Sequence, residues 1–139
     1  GIELIRKYRK INLVFPQNQY YSKYILRGFQ IFCQINQLEY SVIDQLNEGD
    51  VVRGEAFVLI TDDDLYRMIK ITKGRNWKLG KDIGIVAYND TPVKEILEDG
   101  ISTISTNHDE IGRLAAEMIL KKNFSRIKSP FAFIRRKSL

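Results

Sequence analysis

Short, uninterrupted apolar runs recur along the chain, each followed by a stretch with helical spacing. Lys10–Phe15 (KINLVF, closed by Pro16), Ala56–Ile60 (AFVLI), Ile83–Tyr88 (IGIVAY) and Ile101–Ser105 (ISTIS) have the length and branched content of buried strands. Tyr40–Ile43 is a shorter run of the same kind. Between them, Tyr21, Ile25, Gly28, Phe32 and Ile35 fall on one face of a helix predicted over 21–37. Leu65, Met68, Ile69 and Thr72 do so over 65–74, and Ile111, Leu114, Ala115 and Met118 do so after Asn107. Residues 2–8 read as the end of a helix, and 17–20 and 46–54 as loops.

The punctuation agrees with this division. One of Asp62, Asp63 and Asp64 is expected to cap the helix that follows, since a carboxylate accepts from free amides of the first turn. Thr91-Pro92 opens a short helix through Leu97, with proline early and Gly100 at its end. Asn107 and Glu110 have the spacing of a capping box. Lys121 and Lys122 are expected in the last turn of that helix, and Phe131–Ile134 as an edge strand. Strand-then-helix repetition predicts an α/β fold: a three-layer sandwich with a mostly parallel sheet flanked by helices. In such sheets ligands bind beyond the carboxyl ends of the strands. That rule selects 16–20, 61–64, 88–90 and 106–108.

Composition narrows the chemistry. The chain has 139 residues, 44% of them hydrophobic, enough for one domain with a real core. No apolar run approaches the length of a membrane span, and no signal peptide is visible at the start, so a soluble cytoplasmic domain is expected. One cysteine and one histidine leave no disulfide and no zinc set. The net charge of +5 invites a nucleic-acid reading, but no recognition helix, zinc-finger spacing or interleaved stacking aromatics accompany it. The basic residues Lys121, Lys122, Arg126, Lys128 and Arg135–Lys137 then read as solvated surface. The Asp62–Asp64 run fits helix capping and ligand hydrogen bonding better than a metal site, because adjacent carboxylates do not converge on one ion. A phosphoacceptor site would need a lysine ending a strand, and none does so. Cys33 sits in an apolar helix and reads as core filler. No nucleophile–base pair and no glycine-rich phosphate loop follows any strand, so neither an enzyme nor a cofactor is expected. Asn89-Asp90 is a turn pair or a polyol contact, and His108 a surface residue or a ligand contact.

The stretches GKDIGIVAYNDTP, ISTISTNHDEIGRLAAEMIL and SPFAFIRRKSL are similar to the end of the effector-binding domain of LacI/GalR-type transcriptional regulators, which resembles periplasmic sugar-binding proteins. Arg27-Gly28-Phe29 and Leu59-Ile60-Thr61-Asp62 match motifs further upstream. The resemblance covers essentially the whole chain, but only the second of that family's two lobes. It implies that residues 1–139 are a single lobe, a fragment lacking the first lobe and the DNA-binding head. The 88–92 turn and the tail resemble most the subset with a GntR-type winged-helix head.

The resemblance further implies a sensor for a small, sugar-like effector, contacted by Thr61, Asp62, Asn89, Thr106 and His108. It implies operator DNA bound through the head, and a homodimer paired through the 65–71 helix and 96–100. Two departures stand out: Ile25 replaces an arginine of the pattern, and Thr61 an asparagine. Both remove grips on hydroxyls, for which Gln19 or Tyr20 would have to compensate, and a phosphorylated or acidic effector stays open. A lobe of a transport-type sugar-binding protein is the alternative.

Overall fold

The computed structural model describes residues 2–122 and 131–139. Its elements, in chain order, are α1 (Ile2–Ile5), β1 (Ile11–Val14), α2 (Lys23–Ile35), β2 (Tyr40–Ile43), β3 (Ala56–Leu59), α3 (Asp62–Gly74), β4 (Gly84–Tyr88), α4 (Pro92–Ile96), β5 (Ser102–Thr106), α5 (His108–Leu120) and β6 (Phe131–Ile134). Short 3₁₀ turns lie at Glu48–Asp50 and Leu97–Asp99. The strands form one sheet in the order β2-β1-β3-β4-β5-β6. The first five are parallel, and β6 runs antiparallel to β5. The expected α/β fold with a mostly parallel sheet is the one observed.

Alternation along the strands builds a core on each face. Val14, Phe57, Leu59, Ile85 and Ala87 point to one side and meet Leu65, Met68 and Ile69 of α3. Ile11, Leu13, Ala56, Val58 and Val86 point to the other, against Cys33 of α2 with Ile25, Leu26 and Phe29 at its margin. Cys33 is fully buried, and burial pushes its thiol up to about 11, which suits a packed, unreactive side chain.

Several expectations need correction. α2 is apolar on more than one side, and the phase inferred from Phe32 and Ile35 is the wrong one. Ile35 is exposed, while Phe29 and Cys33 face the sheet. Ile71, at the end of the 65–71 stretch expected to pair two copies, packs at the edge of the α3 core. The cap of α3 is Thr61, whose Oγ1 accepts from the Asp64 amide; all three aspartates fall inside the first turn. Asn107 does cap α5 by accepting from the Glu110 amide, but the Glu110 carboxylate pairs with Arg113. Lys121 and Lys122 lie just past the end of α5 rather than in its last turn. Arg126, Lys128 and the Ser129-Pro130 of the tail motif lie outside the described residues.

The apolar stripe of α5 belongs to neither core. Ile111, Leu114 and Met118 are half-buried and Ala115 is exposed. The sheet face beside α2 correspondingly keeps an apolar groove of about 420 Å³, lined among others by Phe29, Val86, Tyr88, Ile104, Phe131 and Phe133.

The tail is anchored, but not through its phenylalanines. β6 pairs with β5, yet Phe131 and Phe133 stay exposed. The anchor is Arg136–Leu139. Ser138 is fully buried where the amino ends of β4 and β5 diverge; its amide and carbonyl bond Gly100 O and Ile85 N, and its Oγ accepts from Ser102 N and donates to Ile85 O. Gly80 sits against this segment at φ 76°, where a Cβ would lie 2.0 Å from Lys137 O, so only glycine fits.

Candidate functional site

The chain reverses its direction of travel across the sheet between β1 and β3, since β2 lies outside β1 and β4 outside β3. At such a switch point the connections after neighbouring strands depart to opposite faces and leave a crevice. A cleft of about 480 Å³ opens there, beyond the carboxyl ends of β1, β3 and β4. Gln19 and Tyr21 come from the segment after β1, Ile60–Asp63 from the junction of β3 and α3, and Tyr88, Asn89, Thr91 and Lys94 from β4 and α4.

Each contribution has a local cause. The Thr61 hydroxyl accepts from the Asp64 amide at 3.0 Å and donates to Asp64 Oδ2 at 2.7 Å, which fixes the first turn of α3. Asp62 and Asp63 are thereby held outward on that turn, both exposed. Asn89 adopts φ 58°, a left-handed conformation that asparagine tolerates, and its amide donates to Ile104 O. Its side-chain amide makes no hydrogen bond among the described residues and faces the cleft. Burial raises the Tyr88 phenol above its ordinary value, so it stays a protonated donor.

Asp90 turns away from the cleft. Arg136 grips both of its oxygens at 2.6 and 2.9 Å, Thr103 donates to it at 3.0 Å, and the arginine hydrogen bonds hold its carboxyl below the usual carboxylate range. The turn pair thus divides its work: Asn89 faces the site, and Asp90 ties the turn to the tail.

Lys94 was missed by reading strand ends, because it arrives from α4. It is 3% exposed, and its ammonium donates to Tyr88 O at 2.8 Å, Asn89 O at 2.7 Å and Asp62 Oδ1 at 2.8 Å. One buried cation therefore fastens the end of β4 to the start of α3. The usable signal was a lysine inside the short helix that follows a strand-end turn.

Of the expected contacts, the structure brings Thr61, Asp62 and Asn89 together on this cleft. Thr106 closes β5 opposite Phe131, away from the cleft lining. His108 opens α5, and its side chain lies outside the described ones. Tyr20 points fully into solvent, whereas Gln19 and Tyr21 line the cleft. Among the described residues no cluster of acids, cysteine and histidine could hold a metal ion.

Solved structures share this fold. A LacI family transcriptional regulator from Bifidobacterium animalis subsp. lactis superimposes at TM-score 0.77 with 17% identity, over 99% of this chain and 58% of that one. A periplasmic binding protein/LacI transcriptional regulator from Alkaliphilus metalliredigens, complexed with D-xylulofuranose, gives 0.72 and 15% over 99% and 59%. The Lac repressor dimer bound to operator and the anti-inducer ONPF gives 0.72 and 18% over 99% and 48%. The chain thus spans about half the length of these structures. No curated protein sequence matches it. No described helix is long and apolar enough to cross a membrane. The periplasmic binding protein-like domain family matches residues 4–130, and the chain belongs to that family.

Proposed function

We propose that this chain is the second lobe of the sensor of a LacI-type transcriptional regulator, and that it binds a small sugar-like effector on the strand-end cleft. The observation that carries the reading is the cleft itself, with Thr61, Asp62 and Asn89 facing Gln19 and Tyr21 on rigid strand ends. Such groups both donate to and accept from hydroxyls. Its openness on one side supports a first lobe elsewhere in the protein as the other half of a clamp, as does the share of the solved structures that the chain spans. Closure of the clamp would shift the spacing of DNA-binding heads in a homodimer acting in the cytoplasm. Exposed Tyr66, Val93 and Ile96 on α3 and α4 supply an apolar patch for that pairing. The resemblance of the 88–92 turn supports a GntR-type head. Function by sensing rather than catalysis fits a site whose ammonium is committed to two backbone carbonyls and Asp62.

The test is Asn89→Gly in the full-length regulator, which removes the amide without straining the positive φ. Hexose-driven release from operator, measured by anisotropy, should weaken about tenfold or more, with DNA affinity in the absence of sugar unchanged. Unaltered hexose response, or tight hexose binding by this lobe alone, would overturn the shared-cleft reading.

A further inference from the structure

We propose that the first turn of α3 is an anion gate: Asp62 and Asp63 restrict the strand-end cleft to uncharged polyols and exclude phosphorylated and carboxylated ligands. The inference rests on the cleft being the effector site, and it settles a question left open by the loss of the arginine and asparagine grips at Ile25 and Thr61.

The amino end of a thirteen-residue helix ordinarily attracts anions, because its free amides and dipole both favour negative charge. Here that attraction is met in part. Thr61 Oγ1 takes the Asp64 amide, and the Leu65 amide bonds Thr61 O. Asp62 and Asp63 add two carboxylates to the same first turn, and both are exposed at the cleft. A phosphate arriving there meets two negative charges of the protein's own.

Among the described residues, the one cation lining the cleft offers no relief. The Lys94 ammonium has three protons, and all three are committed: two to the carbonyls of Tyr88 and Asn89 and one to Asp62. It is buried and aimed at the backbone, so it neutralises Asp62 without offering a donor to a ligand. That leaves the lining with two carboxylates against one ammonium. Hydroxyls meet no such barrier. Vicinal hydroxyls can donate to a carboxylate, and the Asn89 amide, Gln19 and Thr91 supply donors and acceptors around them.

The experiment follows the backbone amides of residues 61–64 by NMR in the full-length regulator, with inorganic phosphate, a neutral hexose and its 6-phosphate as probes. In the wild type, the neutral hexose should shift these amides while phosphate and the hexose 6-phosphate leave them unmoved. D62N/D63N keeps an oxygen to accept from Lys94, and it should gain phosphate affinity by about tenfold or more. D63N, on an exposed side chain, should show part of that gain even if the double variant fails to fold. Phosphate shifting the wild-type amides as strongly as those of the variants would overturn the gate. Phosphate exclusion lifted by the variants, with every neutral hexose silent, would uphold the gate and overturn the polyol reading instead.

Discussion

The two ends of β4 and β5 are built on opposite plans. At the amino ends the strands part, and Ser138 fills the gap with four hydrogen bonds while Leu139 packs into the core beside it. At the carboxyl ends Asn89 and Asp90 still bond β5, and on the other side of β4 a turn at positive φ, a buried ammonium and an open polar cleft follow. The first end spends its polar groups on one another. The second leaves the Asn89 amide and the Asp63 carboxylate without partners among the described residues. A site that recognises hydroxyls needs uncommitted groups held still, and the closed end supplies part of the stillness: Arg136 reaches from the tail to Asp90, next to Asn89.

That comparison breaks most readily at Arg136. Arg136→Ala strands a half-buried carboxylate and loosens the tail, so unfolding in urea should show a loss of about 2 kcal/mol. The same pair sets an acid response. The Asp90 carboxyl is held below its ordinary value in the folded state, so its stabilisation is complete above the unfolded value near 4 and is lost as pH falls through the folded one. Wild-type stability should therefore fall more steeply below about pH 4 than that of Arg136→Ala, which thermal melts across an acid series will show. At the open end effects should be smaller. Thr61→Ala removes the cap of α3 and should cost about 1 kcal/mol, read from the same urea curves. A Thr61→Ala loss as large as that of Arg136→Ala would erase the contrast between the ends.

Sequence periodicity carried the architecture because four strands are continuous apolar runs and each is followed by turn chemistry. It failed where more than one helix face is apolar, as in α2, since a stripe with two phases has no unique inward side. It also over-read α5, whose stripe at Ile111, Leu114 and Met118 stays outside both cores. At the site, residues directly after strands were legible: Thr61, Asp62 and Asn89 follow from topology alone. Lys94 and Arg136 were not, because both reach their positions by long side chains from elements packed above or beside the strand ends. The division of labour between Asn89 and Asp90 was equally hidden, for adjacent residues in a turn carry no mark of which one faces inward.

The placement of Ser138 has a consequence for synthesis. A growing chain emerges amino end first, so β1, β3 and β4 can pair while later segments are still being made. The amino end of the β4–β5 junction cannot be completed then, because Ser138, which fills it, is translated after every strand. Until the tail arrives, the amides of Ile85 and Ser102 lack the partners that Ser138 gives them. Residues made after β6 thus act as a seal on the sheet, and the Arg136 tie to Asp90 beside the cleft waits for them.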